Sequence, residues 1–265
     1  MNDFKTMKLY HNSEPIQSVF KAIGEANEYL VKENVSQFTE PNFNGIDSLR
    51  FVITKAFFDK FIEHFDLKFN ETAFNARRHY TLADIYSTQT PKTAFICKVT
   101  DKIKIYAYHS TDTLNLSRKH KKKLDNFIFL EIHGLQQYQS EAAEPIKHGK
   151  KTRQILKYLL RYCYTQKSRN NITLKSFDFA LDYFEKAKIC KEYAIKKAEY
   201  LENLECEFKK YKDTTTLYIQ KNARANAEPI NANLQRVKIY DKTAKNSLKS
   251  PLIRFELCFF ISDNG

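Results

Sequence analysis

The chain of 265 residues is 42 % hydrophobic, which is enough to fill a core and excludes disorder along the whole length. Lys and Arg number 44 against 31 Asp and Glu, and the formal net charge of +13 favours a polyanionic partner. With only five glycines and no Gly-rich phosphate-binding loop, the sequence argues against nucleoside triphosphate chemistry.

The five cysteines are an odd number, are widely spaced and form no C-x-x-C pair. This pattern favours reduced thiols over a disulfide or zinc framework. The N-terminal segment contains no apolar core of a secretory signal, and no stretch has the length and hydrophobicity of a membrane span. We therefore expect a cytoplasmic protein that has no membrane partner.

The beginning of the chain differs in character from the rest. Apolar residues recur at helical spacing over 15–35, and a segment that contains Pro, Asn and Gly follows at 36–45. The sequence thus predicts a helical extension over residues 1–44 and a main domain over residues 46–265.

Strand and helix patterns follow one another in the main domain. Alternating apolar residues indicate strands, and apolar residues three and four positions apart indicate helices. In chain order the predicted elements are a strand over 46–53, a helix through 57–65, two strands within 93–109 that turn at 100–102, a strand over 126–133 ended by Gly134, a helix over 152–165, a strand over 172–183, a Lys-rich helix over 184–205, and strands over 214–220, 235–242 and 252–261.

The predicted strands outnumber the helices, and several neighbouring strands have connections too short for a parallel crossover. We therefore expect an α+β fold in which helices pack on one face of a mostly antiparallel central sheet. The other face of the sheet is then available for an active site.

Three of the predicted strands carry polar side chains on the face opposite their apolar residues, because side chains two positions apart share a face. Asp178 and Asp182 share such a face in FDFALDY, and Glu256 lies in the middle of the apolar strand IRFELCFF. In RVKIYDK, Tyr240 lies between Lys238 and Lys242, an arrangement that suits a phosphate group.

Each of these features also has a purely structural interpretation. A pair of aspartates on a strand face is more often solvated, and a glutamate in an apolar strand often pairs with a lysine or arginine to avoid an isolated buried charge. One tyrosine among 16 is more often a packing residue than a nucleophile. The occurrence of all three features on three strands is what favours an active site over a purely structural role.

The segments FDFALDY, VKIYDK and LIRFELCF occur in the order and approximate spacing found in rolling-circle replication initiators of the Rep_trans type, the replication initiation factor family of Gram-positive plasmids. The sequence resembles this family over residues 46–265 and is more distantly similar to filamentous-phage replication proteins and related relaxases. The segments GIDSLRFVI and FLEIHGLQQY also look like the first strand of the family and the element before its aspartate strand.

The resemblance implies a nicking domain that cuts one DNA strand through a 5′-phosphotyrosine intermediate. It implies that Tyr240 is the nucleophile and that Lys242 stabilises the developing charge or lowers the pKa of the phenol. Asp178, Asp182 and Glu256 align with acidic positions that bind Mg²⁺ or Mn²⁺, and such a cation would hold and polarise the scissile phosphate.

Two basic segments predict contacts with the DNA backbone, because phosphate contacts add salt-sensitive affinity without sequence preference. A solvated loop is the alternative for either segment. The predicted DNA-binding residues are Arg118, Lys119, Lys121, Lys122, Lys123, Lys150, Lys151, Arg153 and Lys238.

The seven histidines are scattered along the chain, which argues against a histidine metal cluster. Glu131 and His133 share a strand face and are candidates for peripheral ligands. For His133 a structural or hydrogen-bonding role is the stronger expectation.

The sequence therefore predicts a metal-dependent, site-specific DNA endonuclease and strand transferase that initiates rolling-circle replication of a plasmid, phage or mobile element. A mobilisation relaxase with the same chemistry and a non-catalytic nucleic-acid-binding protein are the alternatives. A tyrosine recombinase is disfavoured because such enzymes are largely helical. The expected partners are a single-stranded or cruciform DNA origin, a helicase and a second copy of the chain.

Overall fold

The structure is a computed structural model that describes residues 41–73, 93–109, 126–139, 144–165, 171–184, 204–211, 214–221, 234–243 and 248–261. The chain divides into two compact units. The first unit contains the described residues of Met1–Gly45, Tyr138–Ile146 and Asp178–Gly265, and the second unit contains those of Ile46–Gln137 and Lys147–Phe177.

The second unit combines a sheet with two helices. Its elements are most of β1 (Phe43–Thr54), α1 (Lys55–Phe65), β2 (Asn70–Ala73), β3 (Thr93–Lys98), β4 (Lys104–His109), β5 (Phe127–His133), α2 (Lys150–Tyr164) and the beginning of β6 (Ile172–Phe184). The strand order is β2-β3-β4-β5-β1-β6, and the ladders from β2 to β1 are antiparallel.

Helix α1 follows β1 directly because Thr54 caps it: the Thr54 side-chain oxygen accepts a hydrogen bond from the Phe57 amide. The helix ends at Phe65, and the next residue, Asp66, adopts a left-handed backbone conformation with φ 46°. The rings of Phe57 and Phe61 lie 5.8 and 6.1 Å from the Tyr158 ring of α2, measured between centroids. Aromatic packing therefore holds the two helices together.

Side-chain alternation in β5 separates an apolar face from a polar face of this sheet. Leu130 and Ile132 are buried on one face, whereas Glu131 and His133 lie on the other. Arg50 of β1 is the direct register partner of Glu131 and shares the polar face.

The first unit contains the remainder of β6 together with β7 (Leu204–Tyr211), β8 (Thr214–Lys221), β9 (Leu234–Asp241) and β10 (Leu252–Phe260). Their order is β6-β10-β9-β8-β7, and the ladders from β10 to β7 are antiparallel. An apolar cluster in this unit consists of Phe43, Tyr138, Phe184, Leu248 and Leu252.

The α+β class and the mostly antiparallel sheet that the sequence predicts are confirmed. The predicted strands and the two predicted helices of the second unit correspond to observed elements whose ends differ by a few residues. Strands β2 and β7 were not predicted. The three cysteines whose side chains the structure describes, Cys97, Cys163 and Cys258, form no disulfide.

The Lys-rich helix predicted over 184–205 is wrong at both of its described ends, since Phe184 ends β6 and Leu204 begins β7. The helix predicted over 15–35 and the basic run at 118–123 lie outside the described residues. The extension predicted over 1–44 lies almost entirely outside them as well, and the main domain predicted over 46–265 divides between the two units.

Candidate active site

Strands β9 and β10 of the first unit present polar side chains on one face of their ladder. Arg254 is the direct register partner of Tyr240, and Glu256 is the partner of Lys238. Directly opposed residues of an antiparallel pair share a face, so all four side chains point to the same side. The alternation predicted from the sequence for these strands is confirmed.

The Tyr240 hydroxyl donates a hydrogen bond of 2.8 Å to Oε2 of Glu256. The other oxygen of the same carboxylate, Oε1, accepts a hydrogen bond from the Lys238 ammonium group. Lys238 Nζ also donates to Oδ2 of Asp178 at 3.4 Å, which links β6 to the pair. We call Asp178, Lys238, Tyr240 and Glu256 the phenol cluster.

The phenol cluster is almost completely removed from solvent. The exposed fraction is 1 % for Asp178, 5 % for Glu256, 8 % for Tyr240 and 9 % for Lys238. Electrostatic interactions are stronger in such surroundings than in water, and each charge needs a partner. The Tyr240 hydroxyl thus lies against a carboxylate in a dry, charged environment, and not within an apolar core.

Lys238 is held in its charged form. Burial alone would lower the pKa of its ammonium group, but the nearby negative charges of Asp178 and Glu256 outweigh burial and raise the pKa above its ordinary value. The cluster therefore contains a permanent cation between two carboxylates.

Asp182 belongs to a separate set of contacts. Its carboxylate receives two hydrogen bonds from Arg254, from Nε and Nη2, each 2.6 Å long, and a third of 2.5 Å from the Tyr138 hydroxyl. Asp182, Arg254 and Tyr138 are all fully or almost fully buried. Such a bidentate pair is both strong and geometrically specific. Lys242 lies with this set, with Nζ 5.9 Å from the centroid of the Tyr138 ring.

The structure therefore distributes the predicted catalytic and metal-binding residues over two sets. Asp178, Glu256 and Tyr240 are brought together in the phenol cluster, whereas Asp182 and Lys242 contact other partners. Sequence reasoning missed Tyr138 and the role of Arg254. Alternation in β10 already placed Arg254 on the face of Glu256, but no pattern in the sequence points to Tyr138.

The carboxylates do not fit the predicted Mg²⁺ or Mn²⁺ site as they are arranged. Both oxygens of Asp182 accept hydrogen bonds from Arg254, and an ammonium group lies between Asp178 and Glu256. Within the described parts of the chain, no group of three or more His, Cys, Asp or Glu side chains is arranged to hold a metal ion. Each acid that was expected to bind a cation instead contacts a basic side chain.

A second polar cluster lies in the second unit. Oε2 of Glu131 is 2.9 Å from Nε2 of His133, and Oε1 accepts a 2.5 Å hydrogen bond from the Tyr108 hydroxyl. Glu131 is completely buried. The strand face predicted for Glu131 and His133 is confirmed, and their contact gives His133 a hydrogen-bonding role.

Four of the predicted DNA-binding residues are described: three lie on helix α2, and the fourth, Lys238, is buried in the phenol cluster against Asp178 and Glu256. Lys150, Lys151 and Arg153 are exposed, as are Lys157 and Arg161 farther along the helix. The helix sequence KKTRQILKYLLRYCY contains five basic residues and no acidic one. Its solvent face is therefore strongly positive along its whole length.

None of the helices in the described regions has the length and apolar character needed to cross a membrane. No family model matches the chain, and a search of curated proteins found no match either. Among solved structures, the chain is similar to a rolling-circle replication initiator protein from Geobacillus stearothermophilus, with a TM-score of 0.42 and 13 % sequence identity. That similarity covers 82 % of this chain and 74 % of the initiator chain.

Proposed function

We propose that the protein cuts one strand of DNA and joins its 5′ end to Tyr240, and that this reaction initiates rolling-circle replication of a plasmid, phage or mobile element. The observation that carries the proposal is the hydrogen bond from the Tyr240 hydroxyl to the Glu256 carboxylate. This hydrogen bond supports the assignment of Tyr240 as a nucleophile with a base beside it, because an adjacent base activates an oxygen nucleophile.

In the proposed reaction Glu256 acts as the general base. The phenol proton moves to Oε2 of Glu256 as the Tyr240 oxygen forms a bond to phosphorus, and the bond from phosphorus to the 3′ oxygen of the preceding nucleotide breaks. The 3′ oxygen takes a proton from water and becomes a free hydroxyl group that can prime synthesis. Reversal of these steps with another 3′ hydroxyl transfers the strand.

The phenol cluster loses its net negative charge as the proposed attack proceeds, which limits its repulsion of an anionic substrate. Its residues carry one positive charge on Lys238 and two negative charges on Asp178 and Glu256, and protonation of Glu256 during the attack removes one of the negative charges. Lys238 then offsets the remaining carboxylate and limits its repulsion of the phosphate.

The exposed basic face of α2 supports a nucleic-acid substrate. Five cations without an intervening acid attract phosphates irrespective of sequence. We propose that Lys150, Lys151 and Arg153 contact the DNA backbone together with Lys157 and Arg161. On the sequence alone, the proposal also includes DNA contact by the basic run at 118–123. It further includes a helicase and a second copy of the chain as partners.

A covalent adduct tests the proposal. The full chain is incubated with single-stranded origin oligonucleotides, with Mn²⁺ and with chelator, and products are separated under denaturing conditions. We expect a denaturation-resistant protein–DNA species that Tyr240→Phe abolishes and that Glu256→Gln reduces by about 100-fold. Tyr162→Phe is the matched control, because Tyr162 is an exposed tyrosine of α2. An adduct that persists in Tyr240→Phe would refute the assignment of the nucleophile.

A non-catalytic nucleic-acid-binding protein is the second candidate, and the burial of all four residues in the phenol cluster favours it. In that case the cluster stabilises the fold, and DNA binds without covalent chemistry. The absence of an adduct under every condition, together with DNA binding that Tyr240→Phe leaves unchanged, would support this candidate. A mobilisation relaxase shares the proposed chemistry and differs only in the DNA that it cuts.

A further inference from the structure

We infer that the Lys238 ammonium group is a built-in cation that takes the place of a divalent metal ion in the phenol cluster. The part of the inference that concerns catalysis rests on the proposed function. The part that concerns metal binding rests on the structure of the cluster alone.

The position of Lys238 Nζ carries the inference. It donates to one oxygen of Glu256 and to Oδ2 of Asp178, so a single positive group connects carboxylates from two different strands. A magnesium ion that bound these two acids would need oxygen ligands at about 2.0–2.1 Å. The ammonium group already lies where such an ion would have to enter.

The cluster requires a cation for physical reasons. Asp178 and Glu256 are 1 % and 5 % exposed, and two buried carboxylates that face each other without compensation would repel and would be poorly solvated. Lys238 supplies the compensation from within the chain. A divalent ion could enter only if the ammonium group moved out, because both cannot occupy one position.

Lys238 also orients the base. Glu256 has two oxygens, and the ammonium group binds Oε1 while the Tyr240 hydroxyl binds Oε2. Fixing one oxygen leaves the other pointed at the phenol. Lys238 is thus a positioning residue for the proposed reaction. Its ammonium group orients the two carboxylates, as a bound metal ion would do.

The acid next to this cluster follows the same principle. Asp182 is compensated by the Arg254 guanidinium group through two hydrogen bonds. All three acids that were expected to bind a metal ion on this strand face therefore contact a basic side chain of the chain itself.

Metal binding tests the inference independently of catalysis. Binding of Mn²⁺ to the full chain is followed by calorimetry and by the electron paramagnetic resonance of free Mn²⁺. We expect no specific binding to the wild-type chain and specific binding of one ion to Lys238→Ala, in which the position between the carboxylates is vacated. Lys60→Ala, at an exposed lysine of α1, is the control and should bind none. Tight Mn²⁺ binding by the wild-type chain that Asp178→Asn abolishes would overturn the inference.

The covalent-adduct assay supplies the second readout. The wild-type chain should form the same amount of adduct with chelator as with Mn²⁺. Lys238→Ala should lose about 100-fold in chelator and recover on addition of Mn²⁺, whereas Lys238→Arg should retain activity in chelator. An adduct of the wild-type chain that needs Mn²⁺ would contradict the inference while leaving the proposed function intact.

The two proposals fail in distinguishable ways. If no adduct forms under any condition, the proposed function fails, and the Mn²⁺ measurements still decide whether Lys238 occupies a cation position. If Lys238→Ala does not fold, the wild-type measurements alone decide the inference. It predicts that the wild-type chain binds no Mn²⁺ specifically and that its adduct does not depend on Mn²⁺.

Discussion

Glu131 is a completely buried carboxylate whose ionised form is stabilised by its neighbours. Burial alone would raise the pKa of this group, but the hydrogen bond and charge of His133, the charge of Arg50 and the hydrogen bond from Tyr108 outweigh it. The pKa of Glu131 is therefore lower than its ordinary value of 4.5. The unfolded chain binds a proton at this residue more readily than the folded chain does.

This difference predicts how stability depends on pH. Glu131 contributes stability that is fully present above pH 4.5 and is lost as the pH falls through the lower folded-state pKa. At neutral pH we expect Glu131→Gln to lower the free energy of unfolding by about 3 kcal/mol, because it removes the buried carboxylate that pairs with His133 and Arg50. The variant should therefore unfold at a lower urea concentration. The variant should also show a shallower decline in stability between neutral and acidic pH.

Urea denaturation at a series of pH values measures both effects. Glu63→Gln is the control, since Glu63 lies on the exposed face of α1, and its stability curve should follow that of the wild type. If the stability of Glu131→Gln changed with pH in parallel with that of the wild type, Glu131 would not be the group responsible for the pH dependence.

At this scale the sequence could predict which side chains share a face but not which acid meets which base. The period of two in a strand placed Tyr240 and Glu256 on polar faces, and the structure brings them into contact. The pairing of Arg254 with Asp182 joins residues 72 positions apart. Such a pairing depends on how β6 and β10 are aligned, and local sequence patterns do not contain that information.

At the scale of the elements, Gly134 controls the end of β5. Its φ of 83° is accessible to glycine and strained for other residues, and a Cβ atom added there would lie 2.3 Å from the carbonyl oxygen of Lys102. Lys102 precedes β4, the neighbour of β5. Gly134 thus permits the chain to leave one strand while it contacts the turn before the next.

We expect Gly134→Ala to destabilise the fold by about 2 kcal/mol or more, because strain at positive φ adds to a collision with backbone. Thermal or urea denaturation measures the loss. Gly149→Ala is a matched control, since Gly149 precedes α2 with a φ of −64° and a Cβ atom added there would meet no other atom within 4 Å. Equal stability of the two variants would refute the role given to Gly134.

Long elements with clear periodicity were predictable, and short or ambiguous ones were not. Strand β5 was predictable because its apolar residues and terminal glycine occur together, whereas β2, NETA, has too few residues and too little apolar content for a pattern. Strand β7 has the sequence LECEFKKY, whose mixture of Leu, Glu and Lys is equally typical of a helix. Pairing with β8 makes this segment a strand, and pairing is not a local property.

At the scale of the whole molecule, the net charge of +13 predicts association with DNA that weakens steeply with salt. We expect the triple variant Lys150→Gln, Lys151→Gln, Arg153→Gln to reduce the slope of log affinity against log salt concentration by about 2–3, as expected for the loss of three phosphate contacts. Fluorescence anisotropy with a labelled duplex at several salt concentrations measures this slope.

A variant with the same change in net charge separates local contact from overall attraction. Lys55→Gln, Lys60→Gln, Lys68→Gln also removes three exposed cations, on and beside α1. A smaller reduction in slope for this control would support contact at α2. Equal reductions would show that only the total charge of the chain matters.

The participation of β10 in both contact sets has a consequence for the chain during its synthesis. Glu256 accepts the hydrogen bond of Tyr240, and Arg254 binds Asp182, so neither arrangement exists until β10 has left the ribosome. Before that moment the emerging polypeptide contains the tyrosine without its base. Under the proposed function, a translation product that stops before β10 therefore cannot cleave DNA by this mechanism. The strand that supplies Glu256 and Arg254 is synthesised after all the other residues of the two contact sets.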